Sequence, residues 1–299
     1  MALPNTQTAI QVYPGFKPKD FPATLGLEGA GAVAALGPDV SGRLAVGQRV
    51  VAVNWRPAAS GNGTWQQYLV LREEDLVPIP DDLPDELACQ ALINPIPVIG
   101  MLRELAPPKG EYVIVTAAGS ALGRMTLSYA KSIGIRTIAT ARRAEQLEEL
   151  KAAGADAAFQ LASDADAAAL AEGVMALTGG RGAWGAIDAV AGPVPAWIAP
   201  AVRENGAIIL YGLMSGVEVP YSGIQLLFRR VGLQGFWLVP WLEAQPLEAQ
   251  REVLGAAVEA LRSGVLQSPK IEKRPLEEAA AALADQSKVG REAKIVLVG

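Results

Sequence analysis

Residues 115–123 read VTAAGSALG, a run of small side chains between β-branched residues and an amphipathic stretch. Small residues at a strand-to-helix turn let a backbone approach a diphosphate, and the N–H groups of the following helix can then hold its negative charge. The G-x-G-x-x-G spacing of such turns maps onto Ala118, Ser120 and Gly123, so only the last glycine is present. A plain structural turn has the same composition, and the turn alone does not separate the two. About twenty residues further on, the distance expected in a dinucleotide fold, TIATA ends in Arg142 and Arg143. The tip of that second strand meets the adenine ribose, where an acid selects a 2′-hydroxyl and arginines suit a 2′-phosphate. The pair therefore favours NADPH over NADH, against the alternative of two solvated surface charges.

Those residues need a sheet to stand on. YVIVTA, RTIATA and DAAFQ read as strands alternating with the helical stretches ALGRMTLSYAKSIG and AEQLEELKAAG, and further strands are expected at AIDAVAG and GAIILYG. Strands and helices of these lengths in alternation imply a parallel sheet covered on both faces, a doubly wound Rossmann-type α/β domain. Between Leu25 and Val70 the texture differs: GAGAVAAL, GQRVVAVNW and GTWQQYLVL are short and valine-rich, as in a small antiparallel barrel or sandwich. A proline-rich stretch over 76–95 marks the change, with a helix expected to start near Asp85. Toward the end, LEAQREVLGAAVEALRSG and EEAAAALADQS read as amphipathic helices and AKIVLVG as a strand.

Composition narrows the chemistry. With 299 residues, 51% of them hydrophobic, the chain can bury a large core and two domains are expected. A net charge of −5 offers no broad positive field for nucleic acid or anionic lipid. The single cysteine, Cys89, allows no intramolecular disulfide or thiolate cluster, and a cytoplasmic setting is expected. The absence of histidine removes His acid–base catalysis, the Ser-His-Asp triad and nearly every catalytic zinc arrangement. Residues 183–202 come nearest to a membrane span in length, but three prolines and Asp188 interrupt them. MALPNTQTAIQVYP has neither the basic leader nor the apolar run of a signal peptide. A soluble protein with no membrane partner is expected.

GLEGAGAVAALGPDVSGRLAVGQRVVAV resembles the stretch in which medium-chain dehydrogenase/reductases carry G-x-E-G-x-G-x-V and a later G-D-x-V. GTWQQYLV is similar to their G-[ST]-[WY]-x-x-[YE], and GREAKIVLVG to their closing G-K-x-V-L strand, so the resemblance spans nearly the whole chain. Zinc-dependent members carry a histidine in G-H-E; here Leu27 precedes Glu28 and no histidine exists, which excludes catalytic zinc. Within the zinc-free branch, IQVYP (10–14), GTW (63–65), INP (93–95), YGLMSG (211–216) and LLFRRVGLQGFWL (226–238) resemble mitochondrial-type trans-2-enoyl-CoA reductases more than quinone oxidoreductases.

The resemblance implies a GroES-like β domain over 1–94 and 268–299, a Rossmann domain over 95–267, an active site in the cleft and a homodimer joined through Rossmann sheet edges. It implies NADPH held by Asn94, Ala118, Gly119, Ser120, Ala121, Leu122, Gly123, Arg142, Arg143, Tyr211, Gly212, Phe236, Trp237, Leu238 and Lys294. It also implies reduction of the C=C bond of a 2-enoyl thioester, with hydride delivered to Cβ and a proton to Cα. Tyr13 in IQVYP matches the proposed proton donor; a phenol of ordinary pKa near 10 keeps its proton at neutral pH and can release it to an enolate. On residue type alone Tyr13 could be a surface side chain before Pro14, and GFWL a core strand with Trp237 packed inside.

Two features depart from the family. Pro97 stands where a threonine after Asn-Pro reaches the nicotinamide side, and proline has neither hydroxyl nor N–H to donate. Members also carry a few dozen residues ahead of the segment matched by ALPNTQTAIQVYP, so the first strands of the β domain are expected to be missing. These departures keep two other functions open: a quinone or enone reductase, and a non-catalytic NADPH-binding scaffold.

Overall fold

The computed structural model describes residues 21–53, 61–268, 270–286 and 293–299. The chain divides into two compact units, one of residues 1–96, 247–264 and 268–299, the other of residues 97–246 and 265–267.

The first unit opens with an antiparallel sheet of β1 (Glu28–Ala32), β2 (Arg49–Val53) and β3 (Leu76–Pro78), in that order. Valine-rich alternation places β1 and β2 as expected, but GTWQQYLVL forms no strand. Gly63 is pressed against the preceding segment so tightly that a Cβ would sit 2.1 Å from the Leu25 carbonyl. Its N–H donates to Thr24 O at 3.0 Å and that of Trp65 to Leu25 O at 2.9 Å. Beyond this close approach Tyr68 and Val70 are 77% and 89% exposed, so the alternating pattern has no face to bury. The third strand is instead Leu76–Pro78, paired with Val50–Ala52. A short helix α1 (Asp85–Ala88) begins at the expected residue.

Helix α2 (Pro95–Leu105) leads along the chain into the second unit. Pro95 and Pro97 both fall in its first turn, where no N–H has an intrahelical acceptor, so neither proline costs a hydrogen bond. Six strands follow: β4 (Tyr112–Val115), β5 (Arg136–Ala141), β6 (Ala157–Gln160), β7 (Ala183–Asp188), β8 (Val202–Leu210) and β9 (Gly232–Gly235). Between them lie α3 (Ala121–Ser132), α4 (Leu147–Ala152), α5 (Asp164–Leu177), α6 (Val194–Ile198) and α7 (Gly223–Leu227), and α8 (Leu238–Glu243) follows β9. All neighbouring strands are parallel, in the order β6-β5-β4-β7-β8-β9. This is the doubly wound order, and the direction of winding reverses between β4 and β7.

Packing follows from that order. The central strand β4 is buried along its whole length, as a parallel strand covered on both faces must be. One face joins Ile114 and Ile138 to Leu170, Val174, Ile198 and Ile208. The other joins Val115 and Ala139 to Leu127 and Leu150. The stretch 226–238 is not a single strand but the end of α7, then β9, then the start of α8.

The chain then returns to the first unit with α9 (Leu247–Arg262), β10 (Lys270–Pro275), α10 (Ala279–Gln286) and β11 (Ala293–Val298). The face of α9 carrying Val253, Leu254, Ala257, Val258 and Leu261 is buried, matching its 3.6-residue periodicity. Strands β10 and β11 pair in parallel, and Ile295 and Leu297 pack with Ala282 and Trp65. Among the described residues no helix is long and apolar enough to cross a membrane.

Because Ile114 is fully buried in the central strand, Ile114→Ala is expected to lower the unfolding free energy by about 2–5 kcal/mol. Urea denaturation measures it, and a loss below about 1 kcal/mol would contradict this placement of the core.

Candidate functional site

The turn after β4 closes as a phosphate-binding turn does. Ala117 takes the left-handed conformation at φ 44° and turns the chain out of the strand. Ala118 is fully buried, its N–H on Thr140 O at 3.2 Å, so this alanine fills the first glycine position without opening the turn. Ser120 caps α3: its Oγ accepts the Gly123 N–H at 3.1 Å. At Gly123 a Cβ would lie 2.7 Å from Ala117 O and from Ala118 Cα. The one glycine retained is thus the one required for helix and strand to pack closely.

The turn fits a diphosphate. Among the described residues no protein acceptor meets the N–H of Gly119, Ala121 or Leu122, and at Gly119 a Cβ would find only Gln146 Nε2, at 3.6 Å. First-turn N–H groups without partners, in open space at a helix N-terminus, suit an anion. Arg142 and Arg143 follow the end of β5, both exposed, and neither guanidinium has a salt bridge among the described residues. Arg124, which sequence reasoning passed over, is also near: its Nε donates to Gly119 O at 3.2 Å and its Nη2 pairs with Glu149 at 2.6 Å. Only its place one helical turn after Ser120 could have flagged it.

The carboxyl edge of the sheet supplies a second group of residues. Burial pushes the Tyr211 phenol well above its ordinary range, with the neighbouring Asp188 charge acting in the same direction and a Ser120 hydrogen bond opposing both. Gly212 is seated so closely that a Cβ would lie 2.5 Å from Ala189 O. Asp188 itself is fully buried, and burial raises its carboxyl while hydrogen bonds from Thr116, Ala191 and Val190 work against the rise. Neither Thr116 nor Asp188 was singled out from sequence; an acid inside the apolar run AIDAVAG was the available signal.

Phe236 and Trp237 part company. Phe236 packs inward on Trp241, ring centroids 5.3 Å apart, over Gly100, where a Cβ would meet the Phe236 ring at 2.8 Å. Trp237 is 46% exposed and precedes Leu238 at the start of α8, so it is not the packed core residue that its type also allowed.

Asn94 and Lys294 belong to the first unit. There Glu28, almost fully buried, accepts the Ile93 N–H at 2.9 Å and faces Lys294 Nζ at 3.5 Å, so the Lys294 charge is matched within its own unit. Tyr13 lies outside the described residues.

A doubly wound parallel sheet with a tight turn and unpartnered first-turn N–H groups after its central strand is the architecture of a dinucleotide-binding domain. Comparison with known proteins gives the family. Residues 5–81 match the alcohol dehydrogenase GroES-like domain and residues 121–250 the zinc-binding dehydrogenase domain. The chain is 32% identical over 295 residues to an Arabidopsis thaliana protein named mitochondrial enoyl-[acyl-carrier-protein] reductase, covering 96% of this chain and 74% of the relative. A human protein of the same name is 29% identical over 287 residues, covering 94% of this chain and 74% of that one. Among solved structures, a Pseudomonas syringae quinone oxidoreductase is similar with a TM-score of 0.80 at 26% identity, over 100% of this chain and 89% of that one. A mycobacterial protein in complex with NADPH has a TM-score of 0.81 at 26% identity, with the same coverage. The chain belongs to the medium-chain dehydrogenase/reductases, in the zinc-free group that includes these enoyl reductases.

Since a Cβ at position 123 meets backbone while one at 119 meets only the end of a glutamine side chain, Gly123→Ala is expected to cost about 1–3 kcal/mol of stability by overpacking. Gly119→Ala should leave the melting temperature near that of the wild type. Thermal melts of the two variants check this, and equal melting of both would contradict the assigned turn geometry.

Proposed function

We propose that the chain uses NADPH to reduce the C=C bond of 2-enoyl thioesters, with hydride going to Cβ and a proton from Tyr13 to Cα. The observation that carries this reading is the extended similarity to proteins named enoyl-[acyl-carrier-protein] reductase, at 32% identity over 96% of the chain. When bound, the nicotinamide supplies the hydride. The chain's own residues bind, orient and protonate.

The N–H groups of Gly119, Ala121 and Leu122 hold the diphosphate, and Gly123 lets the backbone come close enough for them to do so. Arg142 and Arg143 hold the 2′-phosphate; both are exposed after the second strand, at the place where that phosphate would lie. The mycobacterial neighbour's complex with NADPH supports the same choice of cofactor. Tyr211 and Gly212 border the nicotinamide end. Without histidine, the proton must come from another acid. Tyr13 suits that role because a phenol of ordinary pKa near 10 keeps its proton at neutral pH and is acidic enough to protonate an enolate.

A second reading, reduction of a quinone or simple enone, draws support from the Pseudomonas syringae quinone oxidoreductase. It needs the same hydride donor but no tyrosine, since solvent can protonate a reduced quinone. We also place the protein in the cytoplasm as a homodimer joined along the β9 edge. Ile224, Leu227 and Phe228, just before that edge, are 63%, 71% and 74% exposed, an apolar group that a second copy would cover.

NADPH oxidation by the purified chain with crotonyl-CoA, run beside a simple quinone, decides between the readings. Faster turnover of the thioester supports the enoyl reductase, faster turnover of the quinone supports the alternative, and NADPH binding without either turnover supports a scaffold. Tyr13→Phe is expected to lower thioester turnover by about 10²–10⁴-fold, the usual worth of a general acid, with little effect on a quinone. Replacing Arg142 and Arg143 by Ala should weaken NADPH by about ten- to a thousandfold, as a combined loss of about 1.4–4 kcal/mol of charge-assisted contact implies. NADH binding should change far less, and equal weakening of both cofactors would contradict the phosphate assignment.

A further inference from the structure

Asp188 presents an energetic puzzle within the second unit. It is fully buried, its carboxylate has no salt bridge among the described residues, and an uncompensated buried charge is unfavourable. Stability alone would favour a neutral residue at the end of β7. What the carboxylate does is gather donors from two segments that the sheet brings side by side. Its Oδ1 accepts the Thr116 hydroxyl, at the end of β4, at 2.5 Å and the Val190 N–H at 3.1 Å, and its Oδ2 accepts the Ala191 N–H at 2.9 Å. Thr116 Oγ1 in turn accepts the Ala189 N–H at 3.0 Å.

The turn so held is unusual. Ala191 and Gly192 are both left-handed, with φ of 61° and 56°, and an alanine adopts that conformation only where its surroundings impose it. The loop after β8 is built on this turn: Tyr211 N–H donates to Asp188 O at 2.9 Å, Met214 N–H to Ala189 O at 3.3 Å and Ser215 N–H to Val190 O at 2.8 Å. Gly212 has no room for a side chain against Ala189 O. The Tyr211 side chain, at the start of that loop, lies beside Ser120, the cap of the phosphate turn.

We propose that Asp188 is a positioning residue of the dinucleotide site, acting through the 189–192 turn and the 211–215 loop and touching no reacting atom. The three connected segments leave the carboxyl edge after β4, β7 and β8, and the first two flank the reversal between β4 and β7, where an open α/β sheet receives its ligand. The proposal rests on the reading that this unit binds NADPH.

The test compares Asp188→Asn and Thr116→Val with wild type in the full chain, by NADPH fluorescence titration and by thermal melting without cofactor. Asparagine removes the buried charge but turns an N–H₂ toward one of the three donors, so part of the hub is lost. The expected result is a rise of about tenfold in the NADPH dissociation constant for both variants, the worth of one buried hydrogen bond, with melting temperatures lowered by only a few degrees, since each change leaves a buried polar group unpaired. Thr116→Ser, which keeps the hydroxyl, should return binding to within about twofold of wild type, because the Asp188 hydrogen bond is restored. Unchanged affinity in both variants overturns the proposal. So does weakening that merely follows a large fall in melting temperature, since that would be a structural role alone. If wild type itself binds neither NADPH nor NADH, the cofactor reading fails first and the positioning role falls with it.

Discussion

The second unit depends on one close approach, that of α3 to the end of β4 at Gly123. Without a side chain there, the helix begins immediately above the central strand; with one, the Cβ would overlap the Ala117 carbonyl and Ala118 Cα. That approach places the free first-turn N–H groups at the carboxyl edge of the sheet and puts Ser120 where it can cap the helix. It also fixes where α3 lays Leu127 against Val115 and Ala139. Close packing and the placing of those N–H groups are therefore the same geometric fact, and the one glycine kept from the usual spacing is the one this approach requires.

Around this point the polar groups are arranged to hold backbone rather than to present charge. Ser120, Thr116 and Asp188 each bind N–H groups of turns that end a strand or start a helix. In the first unit Glu28 does the same for Ile93, next to Asn94, while pairing with Lys294 on the last strand. Buried acids in both units thus fix loops that the strand ladders leave unsupported. The exposed Arg142 and Arg143 are of another kind, positive groups without acidic partners among the described residues, on a chain of net charge −5. Their field is local, suited to one phosphate and not to a polyanion.

The lack of histidine shapes the chemistry as strongly as anything present. With no imidazole in the chain, reduction has to combine a carried hydride with another acid, and a phenol, which stays protonated at neutral pH, is one side chain able to protonate a developing enolate. Membership of the zinc-free medium-chain dehydrogenase/reductases agrees with that restriction.

Much of the second unit was legible in the chain itself. Hydrophobic runs alternating with helical periodicity determine parallel strands: β4, β5 and β6 fall on the stretches so marked, while β7 and β8 begin upstream of theirs, at Ala183 and Val202, and only overlap them. The capping serine, Gly123 and the two arginines were equally visible, because local turn chemistry needs particular residue types. Where a pattern needed a partner to give it meaning, sequence failed: GTWQQYLVL alternates like a strand but has no surface to bury against, and the ladder passes to Leu76–Pro78. Trp237, which residue type alone allowed as core and the family resemblance assigned to the cofactor, is 46% exposed, while Phe236 fills the space over Gly100. The Thr116–Asp188 hub was hidden for the same reason, since its members lie 72 positions apart. Local order followed from the spacing of side chains; the choice of which side chain a buried acid or a glycine must meet was made only when β4, β7 and β8 came side by side.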